Sequence, residues 1–224
     1  LDLGGLTPIQ IDRQIDNDFK NKFTIIQKPS FAYSYLGFNL KNEKFKDIRI
    51  RQALSLAINR QEMVDILFFG YGKICNGPFL PDSFAYNENI KPITQDINKA
   101  KALLKDAGYD ENNPFTFELV TNTGNDTRIN AAQILQYQLE KTGVKMSIKV
   151  MEWQAFLNTV VHPKKFQAVL LGWSLALMPD AFPLWHSSSS KLGGFNLVSY
   201  ENEKVDKLIE QGSTTINRDE LGNI

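Results

Sequence analysis

The spacing of apolar residues alternates between two periods along this chain, and each change of period marks an element. Near the amino end, Thr7-Pro8 supplies an N-cap and a first-turn proline, and Ile11 and Ile15 follow at helical spacing. A helix is predicted over residues 8–17. Residues 23–27 and 31–39, rich in β-branched and aromatic side chains, read as strands separated by Pro29. Asp47 is placed to cap an apolar helix over 48–58. Asn59 then restarts the helix, with Glu62 at the capping-box position and Gly70 at its end. Residues 71–95 hold Gly72, Gly77-Pro78, Pro81 and Pro92 and read as a long irregular loop. Ala100, Leu103, Leu104 and Ala107 make one face of a helix over 96–107, closed by Gly108.

From residue 115 onward the periods alternate regularly. Residues 115–121 and 145–150 alternate apolar with polar, as half-buried strands do. Between them lies a long helix over 125–142, stopped by Gly143, and after them a helix over 152–162, halted by Pro163. Ala168-Val169-Leu170-Leu171 is a continuous apolar run, which suits a strand buried on both faces. The pattern breaks at Gly172-Trp173-Ser174, and Asp180 is placed to cap a short turn carrying Phe182, Leu184 and Trp185. Residues 192–200 read as a returning strand and 202–211 as an amphipathic helix. Two β-α-β units with right-handed crossovers imply three parallel strands and an α/β fold.

Composition adds bounds. The chain has 224 residues, 42% of them hydrophobic, enough for a sizeable core. Lys plus Arg and Asp plus Glu are each 25, which argues against a nucleic-acid partner or a polybasic membrane anchor. Cys75 is alone, so no internal disulfide forms. Leu1 opens in mid-pattern and Ile224 stops inside what reads as a new helix, so the chain reads as a piece of a longer protein.

Enzymatic chemistry is sparsely represented. Only His162 and His186 are present, without a Gly-x-Ser-x-Gly elbow, a phosphate loop or zinc spacing. Asp126, Asp180 and Asp206 each have an ordinary reading as a cap or a solvated charge. What remains is a binding surface at strand ends. Thr121, Asn122, Thr123 and Asn125 form one turn, Trp153 follows the next strand, and Gly172, Trp173, Ser174, Leu175 and Asp180 follow the third. In an open α/β sheet such loops share one edge. Their amides, hydroxyls and tryptophans suit an uncharged or amphipathic ligand, with no cofactor.

Longer stretches carry a resemblance. Phe45-Lys46-Asp47-Ile48-Arg49-Ile50-Arg51-Gln52-Ala53-Leu54-Ser55-Leu56-Ala57-Ile58-Asn59-Arg60 resembles the F-x-D-x-R-V-R-Q-A-L-x-x-A-I-D/N-R signature of the family 5 extracellular solute-binding proteins. These are the dipeptide, oligopeptide and nickel receptors of bacterial ABC importers. Gly70-Tyr71-Gly72 with Pro78 and Pro81, the run from Asn98 to Tyr109, Gly143-Val144 with Trp153, Gly172-Trp173-Ser174 with Pro179-Asp180, and the run from Tyr200 to Ile209 follow in the family's order.

The resemblance implies a lobe of the type II periplasmic-binding-protein kind, a mixed and mostly parallel sheet flanked by helices. It implies one ligand-binding lobe over 1–224, with residues 1–40 as strands leading into an α/β body over 41–224. It also implies a monomeric, non-enzymatic receptor outside the cytoplasm, often lipid-anchored in the parent protein. Such a receptor presents a peptide or other small solute to a membrane ABC permease. Trp153 and Gly172-Trp173-Ser174 match segments that line the family's cleft. In peptide-binding members an aspartate shortly after Gly-Trp pairs with the peptide's amino terminus. Here that stretch is Leu175-Ala176-Leu177, without an acid. Two rival readings are an α/β hydrolase-like enzyme using His186 or Asp180, and a peptide-holding, chaperone-like module.

Overall fold

A computed structural model describes residues 4–28, 30–176 and 180–224 of the chain. Its strands are β1 Ala32–Phe38, β2 Thr116–Asn122, β3 Lys145–Met151 and β4 Ala168–Ser174. They form one sheet in the order β1-β4-β2-β3. Strands β2 and β3 are parallel, as are β2 and β4, while β1 runs antiparallel to β4. The sheet is therefore mixed and mostly parallel.

The helices are α1 Pro8–Arg13, α2 Asn17–Lys22, α3 Glu43–Lys46, α4 Ile48–Ala57, α5 Arg60–Phe68 and α6 Ile97–Asp106. They continue with α7 Asp126–Glu140, α8 Trp153–Phe156, α9 Phe182–Trp185, α10 Glu203–Thr214 and α11 Arg218–Asn223. Strand alternation divides the core. Phe117, Leu119, Ala168 and Leu170 face one side and meet Ile50 and Leu54 of α4, Leu104 of α6, and Ala132, Leu135 and Leu139 of α7. Val120, Val169 and Leu171 face the other and meet Phe156, Val160, Val161, Phe166 and Leu197. The apolar run at 168–171 is thus buried on both faces, as its composition demands.

Within the first layer Phe45 is fully buried. It stacks on Phe38 at 4.8 Å and meets Phe115 and Phe117 edge-on at 5.8 and 5.6 Å, the offset and edge-to-face arrangements that the ring quadrupole favours. Helix ends follow the caps: Asp47 accepts from Arg49 N, Asp96 from Lys99 N and Asn125 from Arg128 N. Gly108 follows α6 at φ 90°, a conformation that other residues enter only with strain.

The structure departs from the sequence expectations in five places. The helix expected over 8–17 ends at Arg13, because Asp16 accepts from Phe19 N and starts α2. Residues 23–27 form no strand. Phe23, Ile25 and Ile26 are exposed there and no strand among the described residues pairs with them, and strand propensity without a ladder does not make a strand. Of the strands expected in residues 1–40 as a lead into the lobe, the described part holds only β1, which belongs to the sheet itself, together with the two short helices α1 and α2. Residues 192–200 form no strand either. The buried Asn196 side chain replaces the ladder, donating to the His186 and Tyr200 carbonyls and accepting from Tyr200 N. Finally, β4 does not break at Gly172 but continues to Ser174, and the helix over 152–162 becomes π-wound from Leu157 to Val161.

The capping box expected at Asn59 is closed from elsewhere. Gln138 of α7, fully buried, accepts from Asn59 N at 3.0 Å and donates to Glu62 Oε2 at 2.9 Å and to Asn59 O at 3.3 Å. One amide therefore ties α7 to the start of α5. Replacing Gln138 with leucine removes all three bonds and leaves the half-buried Asn59 and Glu62 without this partner, and is expected to lower unfolding free energy by about 1–3 kcal/mol in urea denaturation. A loss below about 0.5 kcal/mol would show that the tie is not structural.

Candidate functional site

The carboxyl ends of β2, β3 and β4 meet at one edge of the sheet. Asn122 is in register with Met151, and Thr123 N donates to Met151 O at 2.8 Å, so the turn after β2 lies beside the start of α8. Strand β4 runs further, pairing Ser174 with Ala32, and Leu175 N donates to Phe31 O at 2.6 Å. The three loops singled out from sequence therefore share an edge, and the amino end of β1 joins them.

Within this edge the expected residues take different roles. Thr121 is fully buried and its hydroxyl donates to Leu170 O at 3.1 Å, so it ties β2 to β4 and offers a ligand no surface. Asn125 is the N-cap of α7, its side chain engaged by Arg128 N at 2.9 Å. Asp180 is exposed and accepts from Phe182 N at 2.9 Å, acting as a turn cap. Thr123, Ser174 and Trp153 are exposed at the edge, Trp153 by 39%, and Leu175 is half-buried. Trp153 rests against the buried Phe156, ring centroids 6.2 Å apart, and remains part-exposed. Glu152, just before it, accepts from Ala155 N. The backbone N–H groups of Gln154, Ala155 and Trp153 hold its carboxyl below the usual range. Leu177, Met178 and Pro179 lie outside the described residues.

Gly172 allows a close approach. A Cβ there would lie 3.1 Å from Tyr33 O and 3.4 Å from the Arg128 guanidinium. Beside it stands an aromatic row: Trp173 stacks on Tyr35 at 6.1 Å and meets Phe195 edge-on at 5.9 Å, while Tyr33 lies 6.0 Å from Tyr35. Burial pushes the Tyr33 phenol up to about 12, and Tyr35 higher still, so both are neutral hydroxyls at physiological pH.

Arg128, Tyr33, Tyr35 and Phe195 were not among the residues the sequence put forward. A signal for Arg128 was present. A cation in the first turn of a helix opposes the macrodipole, so its position three residues after the Asn125 cap is unexpected on stability grounds. Nothing in the spacing marks the two tyrosines apart from strand residues.

The rival catalytic reading depends on His186. Its Nδ1 lies 2.7 Å from Ser188 Oγ and its Nε2 3.3 Å from Glu210 Oε1. However, the Ser188 backbone N–H donates to the same Nδ1 at 3.1 Å, which makes that nitrogen a helix cap. The ring is buried against Phe182 at 4.2 Å, and Asp180 is bound elsewhere. The arrangement holds a turn together and presents no nucleophile to a substrate. Among the described residues no cluster of His, Cys, Asp and Glu is placed to hold a metal ion, and no helix is long and apolar enough to cross a membrane.

Residues 1–195 match the family described as bacterial extracellular solute-binding proteins, family 5, middle region. The chain belongs to this family. It is 35% identical over 211 residues to the oligopeptide-binding protein AppA of Bacillus subtilis, covering 88% of this chain and 39% of that protein. It is 29% identical over 220 residues to the glutathione-binding protein GsiB of Pectobacterium atrosepticum, covering 95% and 42%.

Among solved structures, AppA from Bacillus subtilis in complex with a nonapeptide matches with a TM-score of 0.82 at 33% identity, over 92% of this chain and 44% of that one. NikZ from Campylobacter jejuni in complex with Ni(L-His) matches with a TM-score of 0.80 at 31% identity, over 92% and 44%. The chain thus spans about two-fifths of the length of these relatives. The fold is that of a type II periplasmic binding protein. Members of the family are extracytoplasmic binding proteins for transport, not enzymes, and the hydrolase reading is set aside.

The crowding at Gly172 is open to test. Gly172→Val is expected to destabilise the chain by about 1–3 kcal/mol through overpacking against β1 and Arg128. Gly77→Ala, where a Cβ meets nothing within 4 Å, should shift urea stability by less than about 0.5 kcal/mol. Equal effects would show that Gly172 is not held by close approach.

Proposed function

We propose that this chain is one lobe of a two-lobed, monomeric receptor that binds a peptide or related small solute and presents it to an ABC permease. The observation that carries the reading is the convergence of three strand ends on one exposed edge, in a chain of this family. That edge offers the exposed Thr123, the part-exposed indole of Trp153, and the segment from Gly172 to Leu175 with its aromatic neighbours, while Asn122 is buried and bound to Arg128 and Thr123 O. Each element is fixed by the sheet or by a cap, so the wall is preorganised, and a second lobe closing over it adds contacts that exist only in the closed state. The parent protein acts outside the cytoplasm, held at the membrane by a lipid anchor or by its permease.

Ligand class follows from what the wall contains. The part-exposed Trp153 and the aromatic row suit apolar side chains of a ligand. The absence of an acid in the Leu175-Ala176-Leu177 stretch means that a free peptide amine would take its counter-charge from the other lobe, since a buried ammonium without a partner is costly. The relatives named for oligopeptide and glutathione binding, and the one solved with Ni(L-His), set the range to search.

In the full-length protein that carries this chain, peptides of two to nine residues, glutathione or a nickel–histidine chelate are expected to raise the melting temperature. Trp153→Ala should weaken the responding ligand about tenfold while leaving the unliganded melting temperature within about 2 °C, because the side chain is part-exposed. No shift with any of these ligands would overturn the reading.

A further inference from the structure

The opposite edge of the sheet, where β1 ends and β2, β3 and β4 begin, has a charge pattern of its own. Two adjoining cavities of about 560 and about 450 Å³ run along it and share Glu118 and Gln167. Lys41, Lys164 and Lys165 line the first, and Lys44 and Lys145 line the second. Five lysines therefore face one acid in a chain whose net charge is zero. The sequence holds no polybasic run that announces this edge. Lys41 and Lys44 follow β1, Lys145 opens β3, and Lys164 and Lys165 precede β4; the order β1-β4-β2-β3 brings them together.

The row is fixed by the fold. Lys164 holds φ 54°, in the left-handed region that favours glycine. The buried Asn39 side chain maintains that turn, donating to Lys164 O and Phe166 O, each at 3.0 Å. Lys164 Nζ donates to the Ser190 and Asn196 carbonyls, and Lys44 Nζ donates to Thr116 O. These acceptors are neutral and leave the charges uncompensated. Among the described residues, Lys41 alone of the five joins an ion pair, an exposed one with Glu201 at 3.5 Å. Burial and the neighbouring Lys41 push the Lys164 ammonium down, against a smaller upward effect of Glu201. Like charges are thus held side by side, which disfavours the free state and favours an anion from outside.

Three features select the kind of anion. The row crosses four strands, three spacings of about 4.8 Å each, so one small anion cannot touch both ends. Lysine ammoniums are hydrated point charges on flexible stems, which suit a diffuse field better than bidentate capture. A protein partner would need apolar anchors, and lysine is depleted at such interfaces. Among the described residues, the aromatic side chains lining the two cavities are Phe117 and Phe166, and both are buried.

We infer that this lysine edge is a docking surface for the anionic headgroups of a lipid membrane. An extracytoplasmic binding protein of a transport family works beside such a surface. The inference is independent of which solute the opposite edge receives, and membrane contact here leaves that edge free. The attraction fades within a Debye length, so the contact is reversible and salt-sensitive.

The test uses the full-length protein that carries this chain, prepared without any lipid attachment. Sedimentation with vesicles of equal phosphatidylglycerol and phosphatidylcholine is compared with sedimentation with phosphatidylcholine alone. At about 20 mM salt the anionic vesicles are expected to bind at least about tenfold more tightly, and the preference should vanish at about 500 mM. The combined Lys41→Gln, Lys145→Gln and Lys165→Gln variant should lose at least about tenfold of that affinity. Changing Lys20, Lys22 and Lys207 to Gln removes equal charge from exposed positions that line neither cavity, and should alter it less than about twofold. No preference for anionic vesicles, or equal losses in the two variants, would overturn the inference. If the cavity variant does not fold, Lys165→Glu decides: a several-fold loss supports the inference and unchanged affinity overturns it. Inorganic phosphate at matched ionic strength should leave vesicle binding intact; displacement would assign the edge to a small anion and overturn membrane docking. Poly-glutamate bound as tightly as the anionic vesicles, with the same dependence on the cavity lysines, would assign it to an acidic protein and overturn it likewise. Ligand-induced melting shifts should be equal in the wild-type protein and the cavity variant, so the receptor reading stands or falls separately.

Discussion

Strand β4 is the constraint on which the rest of this lobe depends. It is hydrogen-bonded to β1 on one side and β2 on the other, and it is buried on both faces. Leu170 joins the layer of α4, α6 and α7, and Leu171 joins the layer built from Phe156, Val160 and Val161. A one-residue slip would exchange these faces and put side chains into spaces built for others. That register also sets Gly172 opposite Ser34 and Trp173 opposite Tyr33, so the packing of the strand's first half determines what its second half shows to a ligand.

The same logic explains which features were legible from sequence. Two-sided burial writes a continuous apolar run, and a capped helix writes Asp or Asn at the right offset, as at Asp47 and Asn59, although the Asp16 cap of α2 is hidden behind an isoleucine spacing that reads as one helix. The three strand-end loops were placed on one edge because parallel strands leave no alternative. Residues 23–27 and 192–200 were misread because β-branched and aromatic composition shows an aptitude for pairing, not the presence of a partner. At 192–200 one buried side chain, Asn196, satisfies backbone groups that a neighbouring strand would otherwise have satisfied.

At the site the sequence was informative about place and less so about role. Thr121, Asn125 and Asp180 have side chains suited to ligand contact, and each is engaged by the protein's own backbone instead. Residue type cannot distinguish a hydroxyl facing a cleft from one facing a neighbouring strand, because both lie at a strand's end. His186 shows the same limit from the other direction. Its contacts to Ser188 and Glu210 have the distances of a catalytic arrangement, and only the backbone N–H on Nδ1 identifies a cap. Chemistry is assigned by what each lone pair and proton is already doing, and that accounting needs coordinates.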